Sequence, residues 1–210
     1  MRYQLNILGG DTVRTEGPMV WTVTIIGEVP KGTAVMRSGA KVGDVVGVTN
    51  YVGYAATGLG ALSYNLVGYD MTKVGHQRPE PQIELGQKLR QLGIHSMNDI
   101  SDGLGSELNE IATASNVSIV FEEQAIPLHE ETYELAKHLQ TNPVDYALYG
   151  GEDFQLVFTA PKSLLSELEK LAGITLIGEV LSGPPRVQMV TSDKTIKTVE
   201  AKGYNHFHEG

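Results

Sequence analysis

The 210-residue chain has no cysteine, which excludes disulfides, thiolate metal sites and a cysteine nucleophile. No apolar run approaches the roughly 18 residues of a membrane span, and no secretory leader is visible. The expected location is therefore the cytoplasm, with no membrane partner. Cations are scarce: 16 Lys and Arg stand against 25 Asp and Glu, a formal net charge of −9. Such a surface repels a phosphate backbone and argues against nucleic acid as a partner. A small phosphorylated ligand is compatible with it if divalent cations mediate the contact. The GxxxxGK[ST] phosphate loop, the common nucleotide cradle, is also missing, as are internal repeats and low-complexity segments.

What is present is an ordinary globular composition, 41% hydrophobic, with 24 glycines for tight turns. The β-branched and aromatic stretch MVWTVTIIGEV (19–29) predicts a strand. Alone, it and the apolar lead-in YQLNIL cannot bury their own surface, so the chain is expected to begin partway through a domain. A strand is predicted within RSGAKVGDVVGVTN (37–50), then a helix in GYAATGLGALSYNLVGY whose Gly53, Gly58 and Gly60 serve close packing. HQRPEPQ (76–82) reads as an extended loop. Ile83, Leu85, Leu89 and Leu92 predict a helix closed by Gly93, and Leu104, Leu108 and Ile111 a second, to about Ser115. SIVFEE, QLVFTA, ITLIGEV, RVQMV and TIKTV read as strands, and ETYELAKHLQ and KSLLSELEKLAG as helices. Strands and helices mix without strict alternation, which predicts an α/β fold with α+β layers rather than a simple doubly wound sheet.

Three loops share a chemical character: GGDT (9–12), DISDG (99–103) and GGED (150–153). Each sets carboxylates beside glycine, which lets backbone approach a ligand closely. Carboxylates are the hard oxygen ligands that Mg²⁺ prefers, with water and substrate phosphates completing its octahedron. Converging loops of this kind would suit phosphoryl transfer, where positioning and charge neutralisation dominate. Each loop also has a purely structural reading. Asp102 is placed to cap the helix that follows, Asp11 to sit in an ordinary turn, and Glu152 and Asp153 to lie in a solvated loop. The closely spaced His206 and His208 have no partner motif for zinc.

Taken in order, GGDT, RSGAK, the HxRPxP segment, DISDGL, ALYGGEDFQLVFT and the terminal GYNHF resemble thiamine-monophosphate kinase. That family belongs to the aminoimidazole ribonucleotide synthetase-like superfamily of ATP-using enzymes. The resemblance implies a PurM-like C-terminal domain over 37–210 with a mixed sheet and packed helices. Residues 1–36 would be the remnant of an N-terminal domain that binds ATP and pairs with its twin in a homodimer. It implies Mg²⁺ ligation by Asp11, Asp99 and Asp102, with nucleotide contacts from Gly10, Asp11, Arg37 and Ser101. It also implies contact of Glu152, and of Tyr204 or Phe207, with thiamine monophosphate. For Arg37 a solvated loop charge, and for Tyr204 and Phe207 core packing, are the structural readings. The implied reaction is direct in-line transfer from ATP to thiamine monophosphate, giving thiamine diphosphate with no dedicated general base. Upstream acids of the GDDAA type are missing, so the chain is expected to be a fragment inactive alone. The alternatives are another acceptor within the superfamily, or a non-catalytic ligand-binding or dimerisation module. Two departures stand out: the family's GDSAAGL is GYAATGL here, with Tyr54 and Ala55 replacing an acid and a serine, and Gln82 replaces an arginine after the second proline.

Overall fold

A computed structural model describes residues 3 and 5–203. Seven strands form one sheet in the order β2-β4-β1-β5-β3-β6-β7. They are β1 (Val45–Thr49), β2 (Ser96–Ile100), β3 (Ser118–Glu122), β4 (Gln155–Ala160), β5 (Ile174–Leu181), β6 (Arg186–Val190) and β7 (Ile196–Thr198). Every neighbouring pair is antiparallel except β3 with β6, which run parallel. The sheet is thus mixed, as the irregular alternation of elements predicts. Seven helices surround it: α1 (Tyr54–Ser63), α2 (Asp70–Gln77), α3 (Ile83–Leu92), α4 (Leu104–Ser115), α5 (Glu130–Leu139), α6 (Pro143–Tyr149) and α7 (Leu165–Leu168).

At its centre, β1 and the end of β4, the sheet is buried on both faces. Val46, Val48 and Val157 join Leu104, Leu108 and Leu148 in the larger core, whereas Val45, Phe158 and Ala160 turn to a second core with Leu89 and Leu168. This split follows from the two-residue period of a strand. It explains why β1 reads as an unbroken run, VVGVT, with all five residues buried. Gly47 has no side chain because a Cβ there would lie 2.5 Å from the Phe158 ring, which occupies its place.

The predicted strand at 19–29 does not form. Among the described residues there is no helix or strand before Val45, and Trp21, Val23, Ile25 and Ile26 stand exposed. A strand requires a hydrogen-bonded neighbour, and none of the seven strands supplies one. Two helices went unpredicted. The signal for α6 is present in Asn142-Pro143: the Asn142 Oδ1 accepts from the Val144 N–H at 3.2 Å, with Pro143 in the first turn. Helix α2 includes His76 and Gln77, so the HQRPEPQ loop begins later than its prolines suggest. The amphipathic helix in KSLLSELEKLAG is confined to Leu165–Leu168 after a 3-10 turn.

The small-residue stretch acts through packing, as its glycines predict. A Cβ on Gly58 would lie 2.1 Å from the Thr72 carbonyl oxygen of α2, and one on Gly60 would lie 2.9 Å from the flexible Leu135 methyl. Gly58→Ala should therefore lose about 2–3 kcal/mol in urea unfolding, overpacking outweighing the ~1 kcal/mol that alanine gains over glycine in a helix. Gly60→Ala, facing a side chain that can turn away, should lose clearly less.

Candidate functional site

Strand β2 is an edge of the sheet and carries Asp99, whose backbone pairs with Leu156 of β4. The chain then turns through Ser101 and Asp102 into α4. The helix is capped by Gly103, at φ 98°, without a side-chain cap. Asp102 is therefore not the N-cap that its position suggests. Its carboxylate and that of Asp99 are exposed and accept no hydrogen bond among the described residues. The turn is held instead by Glu107, one turn into α4, which sequence spacing did not single out. Its Oε1 accepts from the Asp102 N–H at 3.3 Å and the Ser101 hydroxyl at 3.4 Å. Asn98 donates to its other oxygen. The only earlier signal was the position, an acid in the first turn, where the helix dipole favours negative charge.

The GGED loop is bonded onto this turn through the backbone. Glu152 N–H donates to Ser101 O at 2.8 Å, and Phe154 N–H to Ile100 O at 2.9 Å. The glycines are required by the approach: a Cβ on Gly151 would lie 2.3 Å from Ser101 O, and one on Gly103 2.7 Å from Leu148 O. Glu152 is exposed. Asp153 is 4% exposed, which overturns its reading as a solvated loop acid. Its carboxyl accepts from the N–H groups of Gly53 at 2.6 Å and Ala55 at 2.8 Å, so it caps α1 from across the site. The two residues flanking it adopt left-handed backbone, Glu152 at φ 70° and Phe154 at φ 49°, a cost of roughly 1–2 kcal/mol each that the buried cap and the two loop bonds offset.

Arg37 reaches the same region, pairing with Glu110 at 3.0 Å. Glu110 in turn accepts from Asn98 at 3.1 Å. Gly10 and Asp11 lie in the exposed stretch without regular structure, where, among the described residues, Asp11 accepts only from the neighbouring Thr12 N–H, at 2.8 Å. The structure thus brings Arg37, Asp99, Ser101, Asp102 and Glu152 together, and shows no contact of Gly10 or Asp11 with them. No group of three or more His, Asp or Glu side chains among the described residues is arranged to enclose a metal ion. Tyr204 and Phe207 lie outside the described residues; the described chain ends at Gly203, whose N–H donates to the Ser106 hydroxyl at 3.0 Å beside Asp102. At the altered GYAATGL loop, the Tyr54 ring lies against Gly75 and is flanked by Tyr51 and His129. The side-chain contacts of Tyr54 there are aromatic.

The electrostatics of the turn are acidic. Burial pushes the Glu107 carboxyl up to about 7, and the negative charges of Glu110, Asp99 and Asp102 add to the effect. Excess negative charge with exposed hard oxygens suits a Mg²⁺ ion that retains several waters. Beside Asp99 a cleft of about 630 Å³ opens between α3 and β2, walled by Pro81, Ile83, Arg90, Met97 and Phe154, a volume that admits a small molecule.

Comparison with known proteins now gives this arrangement a family. Residues 41–190 match the family described as AIR synthase related protein, C-terminal domain, and the chain belongs to that family. More particularly, it is 39% identical to a thiamine-monophosphate kinase of Bacillus subtilis, over 98% of this chain and 65% of the relative. A crystal structure of thiamine-monophosphate kinase from Stenotrophomonas maltophilia superposes with a TM-score of 0.71 at 29% identity, over 82% of this chain and 55% of that one. The structure of AaThiL complexed with AMPPCP and TMP superposes equally well, TM-score 0.71 at 34% identity, over 82% and 54%. The PurM-like fold with its mixed sheet is thereby established. The chain spans 65% of the length of the Bacillus subtilis relative. No helix among the described residues is long and apolar enough to cross a membrane.

The buried cap predicts a pH dependence. Burial pushes Asp153 from its ordinary value near 3.8 up to about 7, against the opposing pull of the Gly53, Ala55 and Tyr54 amides. The folded state then holds this proton more tightly than the unfolded state. Its contribution is fully present below pH 4 and declines as pH rises towards 7. In urea unfolding at pH 5 and pH 8, the stability advantage of the parent over Asp153→Asn should be smaller at pH 8.

Proposed function

We propose that the whole protein transfers the γ-phosphoryl group of ATP to thiamine monophosphate, giving thiamine diphosphate and ADP. The observation that carries this reading is the pair of exposed carboxylates, Asp99 and Asp102, held by backbone pairing and an interlocked glycine-rich loop. The named activity of relatives 39% and 35% identical supports it, as does AaThiL complexed with AMPPCP and TMP. Asp99 and Asp102, with Asp11 from the upstream segment, are the residues that would hold Mg²⁺. When bound, that ion neutralises charge on the transferred phosphoryl group. Ser101, Gly10 and the forked guanidinium of Arg37 contact the nucleotide, the fork matching phosphate oxygens. Glu152, on the loop bonded to Ser101, and Tyr204 or Phe207 in the tail that follows Gly203 meet the acceptor.

The acceptor phosphate needs no base to become nucleophilic at neutral pH, so alignment carries the catalysis. Residues 1–36 belong in this reading to an upstream domain that shapes the nucleotide site and pairs in a homodimer, in the cytoplasm. The exposed, unstructured setting of Asp11 favours a second reading for these 210 residues alone, that of a non-catalytic ligand-binding or dimerisation module. Mg²⁺-dependent ATP binding in calorimetry separates the two, and a screen of other acceptors tests the choice of thiamine monophosphate.

The decisive assay incubates the protein at its family's full length with ATP, Mg²⁺ and thiamine monophosphate, and measures thiamine diphosphate; no product overturns the proposal. Asp99→Asn and Asp102→Asn should each lower turnover by about 100-fold or more. Melting should stay within ~2 °C of the parent, because both side chains are exposed and neither caps a helix.

A further inference from the structure

Three residues with no role in the reading above form a continuous connection beneath it. Arg37 Nη1 pairs with Glu110 Oε2 at 3.0 Å, and the same oxygen accepts from the Asn98 amide at 3.1 Å. That amide also donates to Glu107 Oε2, and Glu107 Oε1 accepts from the Ser101 hydroxyl and the Asp102 N–H. The chemistry at the centre is restrictive. Glu107 and Glu110 are like charges three residues apart on one helix, an arrangement that destabilises unless something lies between them. A side-chain amide nitrogen carries two hydrogens, one for each carboxylate, and Asn98 uses both. Aspartate, of the same size, has no such donor. The Arg37–Glu110 pair is exposed at 53% and 45%, so in isolation it is worth little. Its significance lies in what it is joined to.

We infer that Asn98, Glu107 and Glu110 are positioning residues that couple the Arg37 guanidinium to the Ser101–Asp102 turn, so that nucleotide-contacting and metal-holding groups are set as one unit. The inference takes the roles of Arg37, Ser101 and Asp102 from the proposed function, but the mechanical coupling does not depend on them. A purely structural role for Asn98 would stabilise β2 and α4 without communicating with Arg37.

Amide hydrogen exchange at Asp102, followed by NMR, tests the coupling directly. Glu107→Ala, which removes the acceptor, should speed that exchange by ~10-fold or more, and Asn98→Asp by at least ~3-fold. The telling variant is Arg37→Ala: its side chain is exposed, so the fold persists, and it touches neither Ser101 nor Asp102. It should still speed Asp102 exchange by ~2–3-fold, and Arg37→Ala combined with Asn98→Asp should exchange no faster than Asn98→Asp alone. Unchanged exchange in Arg37→Ala, or effects that multiply independently, overturns the inference. In the full-length protein, Arg37→Ala and Asn98→Asp should each weaken Mg²⁺-dependent AMPPCP binding by about 10-fold, with the double variant no weaker than the worse single. Loss of coupling in exchange defeats this inference. Coupled exchange without AMPPCP binding by any protein, the parent included, defeats the kinase reading instead.

Discussion

Everything at the candidate site depends on two backbone hydrogen bonds, from Glu152 N–H to Ser101 O and from Phe154 N–H to Ile100 O. They extend the pairing of β2 with β4 beyond the sheet and weld two loops that lie about fifty residues apart in the chain. Without them the Ser101–Asp102 turn would leave the sheet unpaired just after Asp99, and Glu152 would sit on an unrelated loop. Backbone bonds constrain a loop more tightly than a pair of long side chains, because no rotamer freedom remains to be spent. The cost appears as residue restrictions. Gly103 and Gly151 have neighbours where a Cβ would be, and Glu152 and Phe154 take left-handed backbone.

The same weld buries Asp153 and lets it act at a distance. By accepting from the first amides of α1, it ties the GGED loop to a helix whose own N-cap, Gly53, offers no side chain. Gly58 brings that helix against α2 and its N-cap Gly53 against α6, and the Tyr54 ring fills the space over Gly75. Tyr54 and Ala55 therefore perform the backbone duty of this loop without polar side chains of the acid or serine type. It is the amides of residues 53–55, not their side chains, that Asp153 needs.

Much of this was legible in residue patterns, and the failures have physical causes. Elements with a strong period or a clean stop, such as α3 ending at Gly93 and the alternating β6, follow from local sequence. So does the acidic character of the two interlocked loops. What local sequence does not contain is the partner. MVWTVTIIGEV has every preference for a strand and forms none, because a strand is a property of two segments. Asp102 has the position of a cap, yet Gly103 takes the cap while Glu107 bonds the Asp102 amide. Glu107 drew no notice because its function arises from folding back onto residues before its own helix. Asp153, read as half of an acidic pair, is buried against the start of α1 while Glu152 is exposed, in a loop turned by the left-handed backbone of Glu152 and Phe154.

The exposure of Asp99 has two physical explanations, and they are compatible. Strand β2 is an edge, and a charged side chain on an edge strand discourages pairing with another chain. An edge also leaves one side of the strand open, so a carboxylate there can meet an ion and its shell of water without displacing protein. The residue types around it favour the second use in addition to the first. An edge guard needs charge of either sign, whereas here the negative charges of Glu110, Asp99 and Asp102 add to the burial that pushes Glu107 up to about 7. The molecule instead places Asp99, Asp102, Glu107 and Glu110 on one strand end and one helix turn, with Arg37 paired to the outermost of them. Local acid that protein cations leave uncompensated is a standing energetic cost of the free fold, and one that the divalent cation of the proposed function would remove.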